Sequence, residues 1–426
     1  MSIVAKIMSV LKKLLEGPVK VFGHNLKYDY VLLRRNGINI ANIDFDTMLA
    51  AYDCFGDSDF LNLQYLAKRL MGRVIKAHKD IVGTSHSLLD LPFPDVVHYA
   101  CEHAEVTLQL AAILQQELAH RLVEHQYRTG TLQMVKTLGD WECDGIPVDF
   151  DRLCGIRDSL SDQVNRAKEA VVRRVGSCFN LDSEDEVTAV LKMDQVPAKV
   201  IGFRKVNGKL LEELAIAHET ARLLVRYNRC QKRLRNIEVI IQSVHNGRVH
   251  PVFSQTRTDH CRLSCVKPRL LDSDNVEELR SCLPENFWQF CPDARRALGI
   301  LAHEAADNML LADLLAGEGS CCFENSPPLN DGDHFQLLLS LVTGISDRQL
   351  CRLFLLDRNA IAAIHHDFQI RYSSTFLWLE KFCKETASNG FASARARRRY
   401  FEGLRSSNLE KRNRARHSAV AWLLQW

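Results

Sequence analysis

The sequence has no long hydrophobic run. None of its apolar stretches approaches the ~18 residues needed to cross a bilayer, so a membrane-spanning helix is not expected. It also has little excess charge. Its 55 Lys and Arg stand against 52 Asp and Glu, a balance of +3, so any affinity for a polyanion must come from where the charges sit. Proline and glycine are sparse, 11 and 21 in 426 residues, and 46% of residues are hydrophobic. That excludes collagen-like repeats and long disordered tracts and leaves a globular chain of several domains, with no internal repeat. Zinc-type cysteine pairing is missing too. The tightest group among the 14 Cys is His260, Cys261 and Cys265, with Cys282 and Cys291 beyond, and no second pair stands at ligand spacing. Free thiols in a reducing, cytoplasmic setting are therefore expected. Met1 to Glu16 mixes Lys6, Lys12 and Lys13 with apolar residues, which predicts an amphipathic helix instead of a signal peptide.

Apolar and turn patterning predicts α/β organisation early in the chain. Val19 to Phe22 reads as a strand, Tyr28 to Arg35 as a helix ending at Asn36-Gly37, Asn42 to Phe45 as a second strand, and Thr47 to Tyr52 as the start of a helix. Leu61 to Leu70 and Val97 to Ala119 read as amphipathic helices, with Ser87 to Asp95 as a loop between them. Beyond Arg128 the pattern is mainly helical, broken at Gly145 to Val148. It resumes over Phe150 to Val175 and over Leu210 to Val244. Asn246-Gly247 is a turn signal before an extended Arg248 to Gln255 stretch. Residues 272–300 look irregular. Helices are expected over 301–316, 333–342 and, after Gly344, 346–388.

Charge is concentrated in two places. Between Ala221 and Asn236 there are six basic residues and no acid, so one helix carries an unbalanced charge; Arg222, Arg226, Arg229 and Arg233 follow helical spacing beside a stripe of Leu223, Tyr227, Cys230, Leu234 and Ile237. Such a face is either solvated or made for phosphate, and solvated faces usually mix both signs. From Arg395 to Arg416, nine Lys and Arg face only Glu402 and Glu410, with Tyr400 and Phe401 inside the run, a composition suited to a nucleic-acid backbone.

Gly23-His24-Asn25-Leu26-Lys27-Tyr28-Asp29, then Phe45-Asp46-Thr47-Met48-Leu49, then Tyr99-Ala100-Cys101-Glu102 stand in an order and spacing that resemble the 3′–5′ exonuclease domain of family A DNA polymerases of the bacterial DNA polymerase I type. The resemblance continues. Glu142 to Asp149 and Phe179 to Ser183 are similar to the start of the thumb. Asn246 to His250 with Gln255, Thr258, Arg262-Leu263-Ser264 and Pro268 resemble a template-primer contact segment. Ile300 to His303 with Asp307 and Gly317 are similar to the stretch after the first palm carboxylate, and Arg397 to Phe401 with Ser407, Asn408 and Gln425 to a fingers-side segment. The resemblance implies a partial RNase H-like α/β exonuclease domain over 1–125, a helical thumb over 126–245, and partial palm and fingers over 246–426. It also implies DNA, as primer-template or duplex, as partner, with Lys232, Arg248, Gln255, Arg262, Arg397, Arg398 and Arg399 joining Arg222, Arg226, Arg229 and Arg233 as contacts.

Both activities of such polymerases use divalent metals, normally Mg²⁺, held by carboxylates. Here the resemblance places Asp29 as a metal ligand and Tyr99 as the group that orients the attacking water, but His103 where a further carboxylate belongs. Asp44, Asp46, Glu102 and Glu105 lie off the ligand positions and read as surface or capping acids. Only 22 residues precede Gly23, too few for the family's early Asp-x-Glu strand, and the chain ends at Trp426 before its His-Asp-Glu motif. Counting from neighbouring motifs, the first palm Asp falls on Pro292, with Asp293 one residue away, and the following Glu on Ala297. The triphosphate-binding Lys falls on Phe335, a Tyr on Thr343, and an Arg and Asn on His417 and Ala421. Three readings follow: a DNA-binding protein with both active sites lost, an active polymerase or exonuclease with divergent motifs, or a decaying gene product. The first is favoured, and paired Mg²⁺ is not expected.

Overall fold

A computed structural model describes residues 3–56, 60–82, 88–194, 205–258, 262–271, 275–288, 294–316, 333–394 and 397–424. In chain order the elements are α1 (Ile3–Leu15), β1 (Val21–Gly23), α2 (Leu26–Arg35), β2 (Ile43–Asp46), α3 (Thr47–Phe55), α4 (Leu63–Met71), α5 (Phe93–His120), α6 (Met134–Asp144), α7 (Phe150–Val175), α8 (Glu184–Met193), α9 (Gly208–Ala215) and α10 (Glu219–Gln242). Then come β3 (Val244–His245), β4 (Arg248–Val249), β5 (Val252–Ser254), β6 (Ser264–Lys267), α11 (Val276–Arg280), α12 (Glu285–Trp288), α13 (Ala294–Glu304), α14 (Asn308–Ala316), α15 (Asp333–Val342), α16 (Asp347–Phe354), α17 (Arg358–Arg371), α18 (Ser373–Asn389), β7 (Phe391–Ala394), β8 (Arg397–Tyr400) and α19 (Leu409–Leu423).

These elements form two compact units. The first takes 1–146, 250–266 and 384–423, and the second takes 147–249, 267–383 and 424–426. α6 belongs to the first unit, where it packs on α2. That packing needs Gly139: a Cβ there would stand 2.4 Å from the Tyr30 ring. In the first unit β1 and β2 pair in parallel, Phe22 opposite Phe45 and Gly23 opposite Asp46. Phe45, Leu49 and Ala50 join Leu110 and Leu114 of α5 in one core. The β7–β8 hairpin lies on α3. There Gly56 takes φ +70°, and a Cβ on it would meet the Tyr400 carbonyl oxygen at 1.8 Å.

In the second unit α7 and α10 pack lengthwise. Leu153, Leu160, Val164 and Val171 of α7 are buried, as are Leu224, Val225, Tyr227, Leu234, Ile237 and Ile240 of α10. The apolar stripe is thus rotated from the predicted one, with Leu224 buried and Leu223 half-buried. α7 starts on the Asp149 side chain, which accepts the Arg152 amide at 3.1 Å.

Several predicted spans change. The loop expected through Asp95 ends earlier, with α5 starting at Phe93 and Pro94 in its first turn, where the missing N–H has no helical partner to lose. The 210–244 helix is two helices. The 272–300 stretch holds α11, α12 and the start of α13. The 301–316 helix is interrupted at Asp307, whose carboxylate accepts the Leu310 amide at 3.0 Å and so restarts the chain as α14. The 346–388 stretch is α16, α17 and most of α18. Among the described residues no helix is long and apolar enough to cross a membrane.

Candidate exonuclease-type site and basic surfaces

In the first unit a buried carboxylate organises the site. Asp46, 1% exposed, accepts backbone N–H groups from Asn25 (3.2 Å), Leu26 (2.7 Å), Met48 (2.9 Å) and Leu49 (3.2 Å). One side chain thereby caps α3 and holds the chain entering α2, where Asn25 takes the left-handed conformation at φ 63°. Burial pushes the Asp46 carboxyl up to about 6, against the pull of those four N–H groups. Its capping role matches the expectation; its burial does not, since a surface position was the alternative.

Asp29 sits in the first turn of α2. Its side chain is exposed, yet the protein packed around its carboxyl raises its pKa. Tyr30 behind it donates to Asp140 at 2.6 Å. Tyr99 and His103, four apart on α5, bring their rings to 4.0 Å at 48°. The His103 Nε2 donates to the Lys76 carbonyl at 3.1 Å. A residue that motif reading passed over completes the group. His24 places Nδ1 2.9 Å from the Thr47 hydroxyl, which itself donates to the Gly23 carbonyl at 3.1 Å. With that hydroxyl hydrogen used, His24 is the Nδ1–H tautomer. Burial first, and the nearby His103 second, push His24 down to about 4.

Asp29 makes no hydrogen bond or ion pair with Tyr99 or His103 among the described residues. Of the neighbouring acids, Asp44 pairs with Lys20 at 3.2 Å, and Glu102 and Glu105 pair with Arg73 at 3.5 and 3.2 Å. Mg²⁺ prefers hard oxygen ligands in octahedral geometry. One carboxylate, a phenol and two imidazoles do not fit a pair of such ions, and among the described residues no group of three His, Cys, Asp or Glu is arranged to hold a metal.

In the second unit, Phe335 is buried at 5% exposure in α15, with the Arg295 guanidinium 5.8 Å from its ring centre. Thr343 is buried and donates to the Leu339 carbonyl at 2.8 Å, and Ala297 is buried in α13. His417 and Ala421 lie on α19 of the first unit, both half-buried. Pro292 and Asp293 lie outside the described residues, as do His260, Cys261 and Cys291.

The basic residues divide between the units. On α10, Arg226 is exposed and makes no hydrogen bond or ion pair among the described residues, and Lys232 is exposed. The other arginines predicted on that face turn partly inward. Arg222 donates to the Ala215 and Ile216 carbonyls (3.2 and 3.1 Å) and pairs with Glu219 at 3.5 Å; Arg229 donates to the Arg352 carbonyl at 2.9 Å; Arg233 pairs with Glu278. The α10 face is therefore a mixed one, because a guanidinium carries enough donors to serve the protein first. Arg248 is exposed on β4. In the first unit Gln255 donates to the Thr131 carbonyl at 2.9 Å, and Arg262, Arg397 and Arg398 are half-buried. Arg399 corrects the sequence reading. It is 0% exposed, lies 3.9 Å over the Tyr52 ring, donates to the Tyr52 carbonyl at 2.7 Å and faces Asp53 at 3.6 Å. In a strand packed on α3, alternate residues point inward, and Arg399 is one of them. A side chain so enclosed is not presented to a phosphate. Burial holds the Asp53 carboxyl up at about 6, with Arg399 pulling the other way.

Two family models match the chain, 3′–5′ exonuclease over residues 1–119 and DNA polymerase family A over residues 151–315. Among proteins it resembles, DNA polymerase I of Borreliella burgdorferi is 25% identical over 318 residues, covering 72% of this chain and 35% of that protein. DNA polymerase I of Chloroflexus aurantiacus is 23% identical, covering 92% of this chain and 45% of its own length. That of Pseudomonas aeruginosa is 25% identical, covering 97% and 49%. The chain thus spans less than half the length of each of these relatives. A solved structure described as the POL domain of Pol1 from M. smegmatis in complex with DNA primer-template and dNTP is similar in fold, with a TM-score of 0.67 and 22% identity over 98% of this chain and 75% of that one. With an exonuclease-type stretch followed by a polymerase-type stretch in the order of these relatives, the chain belongs to the family A DNA polymerases.

Proposed function

We propose that this chain is a DNA-binding member of the family that grips primer-template or duplex DNA through its backbone phosphates, and that its exonuclease-type and triphosphate-type positions no longer support metal-paired chemistry. The observation that carries this reading is His103. It stands where the family has a carboxylate, and its Nε2–H is committed to the Lys76 carbonyl. Phe335 supports it from the other end of the chain. At the position of the triphosphate-binding lysine it offers a buried ring, which has no charge to neutralise a phosphate. Arg226, Lys232, Arg248 and Arg262 need only charge and reach to hold a backbone, and such contacts give affinity that falls with salt and depends little on sequence. A cytoplasmic, nucleoid-associated location accords with such a partner.

The test is a labelled primer-template incubated with the protein, Mg²⁺ or Mn²⁺ and all four deoxynucleoside triphosphates, beside an Asp29→Ala variant. The expected result is a primer of unchanged length that is still shifted on a native gel, with a shift that weakens steeply as salt rises. Primer extension overturns the reading for the polymerase part. Primer shortening that disappears in Asp29→Ala overturns it for the exonuclease part and makes His103 a working ligand for a softer metal. A primer neither shifted nor altered removes DNA as the partner.

A further inference from the structure

Helix α5 has two apolar faces. Val106, Leu110, Leu114 and Leu118 fill the core of the first unit. On the other side Phe93, Val97, Ala100, Cys101, Ala104 and Leu108 are all exposed, Phe93 at 79%, Leu108 at 59% and Val97 at 41%. Their steps of three and four residues set them in one stripe along the helix. A helix at the surface of a domain needs one such face, and here the second one is open.

Charge decides what kind of partner fits. From Phe93 to His120 there is no Lys or Arg. Such a face has nothing to offer a nucleic-acid backbone or an anionic lipid, so its occupant is protein. The acids beside it do not repel a second copy, since Glu102 and Glu105 pair with Arg73 at 3.5 and 3.2 Å. The stripe is also symmetric in position. Phe93 and Leu108, Val97 and Ala104, and Ala100 and Cys101 each lie equally far from a point between residues 100 and 101, with small residues at the middle and large ones at the ends. That is the pattern of an isologous contact, in which each residue of one copy meets its counterpart on the other. Two such helices laid antiparallel approach to about 8 Å over the small middle. As they cross, Phe93 and Leu108 fill the widening gap at either end.

We infer that this stripe is the contact between two copies of the chain, with α5 antiparallel to α5 about a two-fold axis beside Ala100 and Cys101. The axis brings the two Cys101 side chains to the roughly 4 Å Cβ separation that a disulfide spans. It also sets His98 of one copy about 3 Å along the helix from Glu105 of the other, where an imidazole N–H can donate to the carboxylate. The inference does not rest on the DNA reading. Stable interfaces begin at about 1,000 Å² in all, and six side chains a copy fall at that low end, so a dissociation constant on the order of micromolar is expected. The test is sedimentation velocity of the whole chain, without DNA and under reducing conditions, over a concentration series around that value. Wild type is expected to pass from monomer to dimer. Ala104→Arg puts an unpaired cation at the middle of the contact and is expected to raise the dissociation constant roughly tenfold or more. Thermal midpoints taken where both proteins are monomeric are expected to match, because Ala104 is exposed, and they keep a folding defect from passing as a lost contact. Cross-linking reads the register in a Cys101→Ser background. An equal mixture of chains carrying Val97→Cys and chains carrying Ala104→Cys is expected to give disulfide-linked dimers on mild oxidation, well above either chain alone. A wild type that stays monomeric throughout the series overturns the inference. So does a dimer that survives Ala104→Arg, and so does a mixture that cross-links no better than its components.

Discussion

His24 and Asp46 are both tied to the join of β2 and α3, His24 through Thr47, yet respond to pH with opposite sign. His24 is held at about 4 in the folded chain against 6.5 for a free imidazole. Between those values the unfolded chain binds more protons at this residue, so its contribution rises with pH, is complete above about 6.5, and is lost as pH falls through 4. Asp46, held at about 6 against 3.8, does the reverse: its contribution is complete below 3.8 and is lost as pH rises through 6. The whole chain sums such terms, and Asp53 adds a second one of the Asp46 kind, so the informative quantity is a difference. Wild type is expected to gain on His24→Gln by roughly 2 kcal/mol in urea-unfolding stability between pH 4 and 6.5, allowing for the partial exposure of His24. A difference that stays flat over that window would mean the imidazole titrates as it does in water. At this scale the sequence was partly legible. Asp29, Tyr99 and His103 stand out by spacing against a known motif. His24 and the Asn25 and Leu26 amides on Asp46 do not, because a buried hydrogen-bond hub has no periodicity and these two partners are 21 and 20 residues away.

Among the elements, the helices with caps and strong periodicity were readable. α7 begins and ends where predicted, between the Asp149 side chain and Gly176. The breaks inside 301–316 and 346–388 were not, since apolar periodicity continues across a short turn and only a side chain such as Asp307, acting on the backbone, marks the restart. The Arg397–Arg399 run shows the opposite failure. Composition suggests three equivalent cations, but strand packing turns Arg399 under α3 and spends it on Tyr52 and Asp53, while Arg398 stays half-buried. The same packing makes Gly56 indispensable. Any Cβ there meets the Tyr400 carbonyl, and its φ of +70° is costly for other residues. Gly56→Ala is expected to lower stability by about 3 kcal/mol or more and to open β7–β8 to limited proteolysis ahead of the rest of the unit. An unchanged midpoint with an intact hairpin would show that α3 and β8 part at no cost.

For the whole molecule, family and domain order were legible because they rest on several motifs in register, and the division into units was not. The first unit is assembled from three separated stretches, which no local pattern announces. The contact set is correspondingly dispersed, and its members are not equal. Arg226, which makes no hydrogen bond or ion pair among the described residues, is expected to give up little to bind a phosphate, whereas Arg233 must leave Glu278. Arg226→Gln is therefore expected to weaken duplex binding and to reduce the slope of log affinity against log salt by about 1, with stability unchanged. Arg233→Gln is expected to cost stability, with a smaller change in that slope. If the two variants behave alike in both measurements, the internal pairing of Arg233 has no bearing on its availability.

Gln126 holds Arg398 by both ends of its amide, donating to the carbonyl at 2.9 Å and accepting the N–H at 3.0 Å. That is the pair of bonds a neighbouring strand would make, supplied by one side chain on the rim of a two-stranded ribbon. Its consequence concerns molecules other than this one. An open ribbon edge is a template on which another chain can lay a strand, and self-association in cross-β form begins that way. By occupying the position, Gln126 takes up the two edge groups of Arg398 that an added strand would need.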